Sequence, residues 1–285
     1  MKRTNKIEWK SFGEERALYG IRDTLVKNCR IEGEEDGESA FKECKDISVE
    51  NCLFTLRYPL WHVEGFELDE CGMTDGCRAA LWYDKDGRIS RSKLGGIKAV
   101  RECKGIKIEN CEIISPEFGW QSEDLTLKKS EIVSEYAFLH TSGLRLDDVG
   151  LKGKYTFQYT KDVTVKNSRL DTKDAFWHAS GVTVEDSLVK GEYLGWYSEN
   201  LTFIRCHIVG TQPLCYCKNL KLIDCTMEGC DLSFEYSDVE ASINGHVESI
   251  KNPKSGTITV DSVGEILYTD DAVYKPEGKV NVRKR

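Results

Sequence analysis

The residues of this chain that could do chemistry gather in two adjacent columns of a repeating pattern. The first column reads Tyr19, Lys42, Trp61, Trp82, Arg101, Trp120, Leu139, Gln158, Trp177, Trp196 and Cys215. The second reads Gly20, Glu43, His62, Tyr83, Glu102, Gln121, His140, Tyr159, His178, Tyr197 and Tyr216. Five of the six tryptophans fall in the first and three of the five histidines in the second, which random placement would not produce. A carboxylate beside an imidazole can do general acid–base work, and two flanking carboxylates can cleave a glycosidic bond. The candidate catalytic residues are therefore Glu102, His140, His62 and Asp84, with Asp84 and Glu102 as the nearest carboxylate pair. An outward row of aromatics marks a binding surface, and flat rings suit the apolar faces of sugars. Trp61, Trp82, Tyr83, Arg101, Trp120, Gln121, Trp177 and His178 are the candidate substrate-binding residues. In a competing reading the tryptophans point inward or wrap a corner, and the polar column merely edges them.

The elements that position these columns follow from the repeat. The segments Asp46–Cys52, Gly105–Cys111, Asp162–Ser168, Gly181–Ser187, Asn200–Cys206 and Asn219–Cys225 share one pattern. Their final residue marks a landmark column: Cys29, Cys52, Cys71, Ser92, Cys111, Ser130, Val149, Ser168, Ser187, Cys206, Cys225. Eight of its ten intervals are 19 residues; the other two carry insertions of 4 and 2 near Glu32–Ser39 and Thr74–Ala79. Each repeat holds three short alternating runs, as expected of strands with one buried face. An Asn or Asp, types that tolerate left-handed backbone angles, often separates the last two. The third run lies about eleven positions before the landmark, at residues such as Leu60, Leu81 and Phe157. A constant period stacks each strand on its equivalent in the next turn, in parallel, which excludes a hairpin-built sandwich. The fold expected is all-β, a single-stranded right-handed parallel β-helix of about 11–12 coils of 19 residues, capped at both ends. Residues 1–285 form one domain in this reading, with an N-terminal cap at 1–17, coils at 18–264, and a C-terminal cap and tail at 265–285. Past Cys225 the phase is expected to persist, with Ile258 following Val239.

The Asn-Cys or Asn-Ser bend between two short strands resembles the right-handed parallel β-helix of the pectin-lyase-like superfamily. In particular, Glu15-Arg-Ala-Leu-Tyr19, and Gly37-Glu-Ser39 followed by Lys42-Glu43, resemble the N-terminal signature of a bacterial family of that superfamily with no assigned function. The resemblance covers nearly the whole chain. It implies the fold and leaves the chemistry open, because the superfamily includes lyases, hydrolases, esterases and non-catalytic binders. The chain lacks the Asn-Thr-Asp, Asp-Asp, Gly-His-Gly and Arg-x-Lys series of polygalacturonases and the Arg-x-Pro-x-x-Arg pattern of pectate lyases.

Composition narrows the partners. With 40 Lys and Arg against 48 Asp and Glu, the net charge is −8, which argues against nucleic acid and anionic membranes. No window approaches 18 uncharged apolar residues, and the basic N-terminus lacks an apolar stretch of the secretory kind. Twelve cysteines then read as reduced thiols of a cytoplasmic protein. Six occupy the landmark column and three (Cys44, Cys103, Cys217) a column eight residues before it, packing as small apolar groups. Cys215, Cys217, Cys225 and Cys230 are spaced unlike a zinc knuckle, so no metal and no cofactor is expected. A weaker alternative places Ca²⁺ at the acidic loop 32–38. The expected ligand is an oligosaccharide or sugar derivative, with oligomerisation open. The alternative is a non-catalytic scaffold or protein-interaction β-solenoid, and the sequence leaves enzymatic activity undecided.

Overall fold

A computed structural model describes residues 3–34 and 37–284. The chain is all-β, a parallel β-solenoid of about 15 turns. It divides into two compact units, Met1–Arg145 and Leu146–Arg285, each built from the same coil. In the N-terminal unit the strands Arg22–Lys27, Lys45–Glu50, Glu64–Asp69, Lys85–Ser90 and Lys107–Glu109 stack in parallel. In the C-terminal unit Lys161–Lys166, Ser180–Glu185, Glu199–Ile204 and Leu220–Glu228 do the same. The register joins residues one repeat apart, such as Val163 with Val182 and Val182 with Leu201.

The coil count exceeds the 11–12 expected because strands continue at both ends. Asn5–Glu8 and Ser11–Phe12, in the stretch read as a cap, pair in parallel with Arg22–Lys27 and Arg30–Ile31. Lys279–Val282 pairs in parallel with Ser255–Val260. The repeat also shortens after Cys225. Cys225 pairs with Ile243, and Ala241, not Val239, pairs with Ile258. The phase read from the sequence was therefore two residues out there.

Each coil turns at residues with left-handed backbone angles. The residue before the landmark is one, with φ near 50° at Asn28, Asn51, Asn110, Asn167 and Asp186. Non-glycine residues adopt this conformation at a cost, lowest for Asn and Asp. The corner also turns the following amide away from the backbone ladder. The landmark side chain of the next coil accepts it instead: Cys71 N–H donates to Ser92 Oγ at 3.0 Å, Cys111 to Ser130 at 3.1 Å, and Ser168 to Ser187 at 3.0 Å. The same hydroxyls donate onward to the carbonyl two residues back, as Ser92 does to Ser90 at 2.6 Å and Ser187 to Glu185 at 2.7 Å. The cysteines of this column do likewise, Cys29 N–H reaching Cys52 Sγ at 3.3 Å. They are more than apolar filler: Ser and Cys here are small side chains that accept one hydrogen bond and donate another, and only Val149 fills its place by packing alone. All twelve cysteines are buried and free.

Among the described residues the third run is a strand only at Leu60–Trp61, Leu81–Trp82 and Val100–Arg101. Elsewhere left-handed residues interrupt it, for example Tyr136, Phe138 and His140 within five positions. This lets two consecutive residues face inward, Ala137 and Phe138 in one coil and Ala175 and Phe176 in another. Phenylalanines stack through the core, Phe157 on Phe176 at 4.7 Å.

A second corner alternates residue types: Asp46, Gly65, Asp86, Gly105, Asp124, Gly143, all with positive φ. A Cβ on Gly65 would lie 2.7 Å from Asp46 Oδ1, and on Gly105 2.9 Å from Asp86 Oδ1. Each aspartate thus leans over the glycine of the next coil. Outside, charges pair between neighbouring coils, as in Lys45–Glu64, Lys93–Glu112 and Lys104–Glu123. Such exposed pairs contribute little individually.

Replacing Ser187 with alanine leaves the Ser168 amide without its acceptor and should cost about 1–3 kcal/mol. Ser187→Leu adds overpacking of about 1–3 kcal/mol, whereas Ser187→Cys should be better tolerated than either. Urea unfolding of the three variants checks the order; an alanine variant as stable as the parent would show that the ladder contributes nothing.

Candidate functional site

The second sequence column is itself a corner. His62, Tyr83, Glu102, Gln121 and His140 in the N-terminal unit, and Tyr159, His178, Tyr197 and Tyr216 in the C-terminal unit, all have φ between 51° and 60°. Their side chains project outward from a bend. The tryptophan column beside them neither enters the core nor stands free: the indoles lie half-buried along the surface. Trp120 Nε1 donates to the Tyr136 carbonyl at 2.6 Å, Trp177 to Tyr193 at 2.7 Å and Trp196 to Gln212 at 2.8 Å. Each clamps its own coil to a corner of the next, so Trp120 and Trp177 serve the framework.

In the N-terminal unit the bend opens into a notch of about 370 Å³ lined by His62, Val63, Glu64, Tyr83, Lys85 and Glu102. His62 Nδ1 lies 3.0 Å from Glu43 Oε1, and its ring meets Tyr83 edge-on at 5.2 Å. Arg101 Nε donates to Glu102 Oε1 at 2.7 Å, and the guanidinium sits 5.2 Å from the Trp82 ring. Partial burial would raise the Glu102 pKa, but hydrogen bonds from Tyr83 and Arg101 and the Arg101 charge outweigh it, so it lies below the usual carboxylate range. The same hydrogen bond to Glu102 holds the Tyr83 phenol above its ordinary value. Trp61 and Trp82 stack at 5.1 Å behind the notch, with Lys42 over Trp61 at 3.8 Å.

The structure brings together His62, Tyr83 and Glu102 of the residues expected from sequence, with Arg101, Trp82 and Trp61 at the rim. His140 stands two coils beyond Glu102, with Gln121 on the coil between them. Asp84 requires correction. It belongs to the inward column of Cys44, Val63 and Cys103 and is fully buried. Its Oδ1 accepts the Val63 amide at 2.7 Å, while Oδ2 has no hydrogen-bond partner. Asp84 and Glu102 therefore lie on opposite faces of the coil wall and cannot flank one bond. Sequence reasoning missed Glu64 and Lys85, which precede the Asp/Gly corner; their signal was a column made wholly of charged residues, Lys45, Glu64, Lys85, Lys104 and Glu123.

Trp177 and His178 lie in the C-terminal unit, apart from the notch's residues. There Tyr159, His178, Tyr197 and Tyr216 stack in succession at 4.9, 5.3 and 4.7 Å, with planes within 14° of parallel. Ring faces cover one another along this ladder, and edges point to solvent. Among the described residues no three His, Cys, Asp or Glu side chains are disposed to hold a metal ion. Of the acidic loop 32–38, Glu32 pairs with Arg30 and Glu38 with Arg57; Glu35 and Asp36 lie outside the described residues.

Parallel coils with repeating corners define a right-handed β-helix. Residues 5–281 match the family described as "Protein of unknown function (DUF3737)", and the chain belongs to it. No curated protein matches the chain. Among solved structures it is similar to the surface adhesin PfbA of Streptococcus pneumoniae, at 8% identity over 97% of this chain and 91% of that one, with a TM-score of 0.45. It is also similar to the periplasmic alginate epimerase AlgG (10%, 92% and 77%, TM-score 0.28). A third is the A-module of the Azotobacter vinelandii mannuronan C-5 epimerase AlgE6 (12%, 98% and 89%, TM-score 0.29). Likenesses this distant carry no argument about the site.

Burial pushes the Asp84 carboxyl well above its ordinary range, against the opposing effect of backbone amides. Its native pKa exceeds its unfolded one, so the native state holds the extra proton. Stability associated with that proton is full below about pH 4 and falls as pH rises toward the native pKa. Asp84→Asn keeps the acceptor for Val63 and cannot ionise. Its advantage over the parent should therefore grow between pH 4.5 and 8 in thermal melts; a constant difference would refute this.

Proposed function

We propose that the notch at His62, Tyr83 and Glu102 binds a short oligosaccharide or sugar derivative. The observation that carries this reading is the convergence, from three successive coils, of an imidazole, an outward phenol ring and an ionised carboxylate beside Lys85 and Glu64 in one open recess. Polyhydroxylated ligands need closely spaced donors and acceptors with one apolar surface, and Tyr83, 39% exposed, supplies that surface. The reading is one of binding, and the expected Asp84–Glu102 pair does not extend it to glycoside hydrolysis. Two-carboxylate hydrolysis needs groups that flank the bond, and Asp84 is buried inside the coil. The His62–Glu43 pair can orient an imidazole for proton transfer, which leaves acid–base chemistry on a bound sugar within reach.

A second reading, a protein-interaction scaffold, draws on the C-terminal unit. Its ring ladder has spent its faces on internal stacking, so it suits edge contacts with a protein better than sugar stacking.

A glycan array followed by calorimetry on any hit tests the first reading. Tyr83→Ala and Glu102→Gln should each weaken binding about tenfold or more, whereas His178→Ala should not change it. Loss with His178→Ala and not with Tyr83→Ala would move the site to the C-terminal unit; a bare array would favour the scaffold.

A further inference from the structure

A second depression of the N-terminal unit shares no residue with the notch. It encloses about 400 Å³, and its walls include Arg3, Asp46, Glu67, Asp86, Arg88 and Lys107. It exists because side chains are missing. Gly65 and Gly105 stand at the alternating corner, and Gly87 yields its space to the Phe66 ring, which a Cβ would meet at 2.1 Å.

The stretch of chain that supplies Arg88 and Lys107 to it is unusually basic for this protein. Residues 84–107 carry eight Lys and Arg against three Asp and Glu, in a protein of net charge −8. Five of the eight are matched: Arg91 with Asp69, Lys93 with Glu112, Lys98 with Glu117, Arg101 with Glu102 and Lys104 with Glu123. Lys85, Arg88 and Lys107 have no carboxylate within ion-pair distance among the described residues. Two of these three line the depression, and they are direct register partners on adjacent strands. Like charges placed opposite each other in a sheet destabilise it. Other like-charged register partners occur, such as Arg22 with Lys45 and Glu112 with Glu131, but those do not line this depression. The nearest in-register carboxylate, Glu67, instead accepts from Ser48 at 3.4 Å, and Ser48 in turn accepts from Arg3 at 3.0 Å. Asp46 and Asp86 lean over Gly65 and Gly105. Among the described residues Arg88 and Lys107 thus lack ion-pair partners, while Glu67 is engaged by Ser48.

We propose that this depression is a ligand site for a tetrahedral oxyanion, phosphate or sulfate, carried as an ester on a hydroxyl-bearing molecule. Arg88 offers a forked donor and Lys107 a point charge to the same anion. Asp46 and Asp86 accept from hydroxyls on the remainder of the ligand. A bound dianion would turn the Arg88–Lys107 repulsion into a shared attraction.

Inorganic phosphate and inorganic sulfate, titrated separately into the full chain at about 0.15 M NaCl, provide the test by calorimetry and thermal melts. Phosphate, sulfate or both should bind and raise the melting temperature. Binding of phosphate alone points to a monoester, and equal binding of both to any tetrahedral oxyanion. Arg88→Gln and Lys107→Gln should each weaken binding about tenfold. Lys93→Gln, the same charge change at a matched lysine, should leave it intact. Without anion, Lys107→Gln should melt no lower than the parent, because it relieves a repulsion; this separates lost binding from lost folding. Failure of both anions to bind, or unchanged binding in the Arg88 and Lys107 variants, overturns the proposal.

Discussion

Everything in this chain depends on what happens to one amide at each corner. A parallel coil must turn within one or two residues, and a left-handed residue does so compactly. The amide after the turn then leaves the ladder and would be buried without an acceptor. The Ser and Cys columns resolve this by handing such amides to the side chain of the next coil. The solution restricts residue size and hydrogen-bonding capacity in most turns, Val149 being an exception, and so holds the sequence to its period. Asp84 shows the limits of the rule: it supplies the acceptor but brings a second oxygen that nothing satisfies.

The same spacing governs the aromatic columns. Rings on successive coils arrive at about the strand separation, close enough to stack on one another. In the C-terminal unit they do so from Tyr159 to Tyr216, and an aromatic row that looks like a sugar platform becomes a self-contained column. The N-terminal unit escapes where residue types change between coils. Glu43, His62, Tyr83 and Glu102 cannot form one stack; they pair and tilt, and the gap between them is the notch.

The architecture was legible because its grammar is written in small residues. The Asn before Cys52 or Cys111 announces a bend, and Val182-Thr-Val184 announces a strand with one buried face. The bend at His62, Tyr83 and Glu102 was not legible, since none of these types advertises a left-handed angle; their shared position read only as an outward polar column or the edge of the tryptophans. The tryptophans were ambiguous for a related reason. Two inward residues in succession, such as Ala137 and Phe138, break the strict in–out alternation by which a strand's faces are told apart. Asp84 was misjudged by adjacency to Tyr83, although its own column of Cys44, Val63 and Cys103 pointed inside. The last coils faded because their spacing shortens, which no fixed period could follow.

The alternation of aspartate and glycine at the second corner has a consequence for how such a chain can be lengthened or trimmed. From Asp46 to Gly143 the pattern repeats every second coil, so its modular unit is a pair of turns rather than one. Excising a single turn would set carboxylate against carboxylate or leave two bare glycines together. Excising two would restore the original neighbours. Duplication or recombination within this stretch is therefore expected to proceed in steps of two turns, a quantum set by where one short acidic side chain comes to rest.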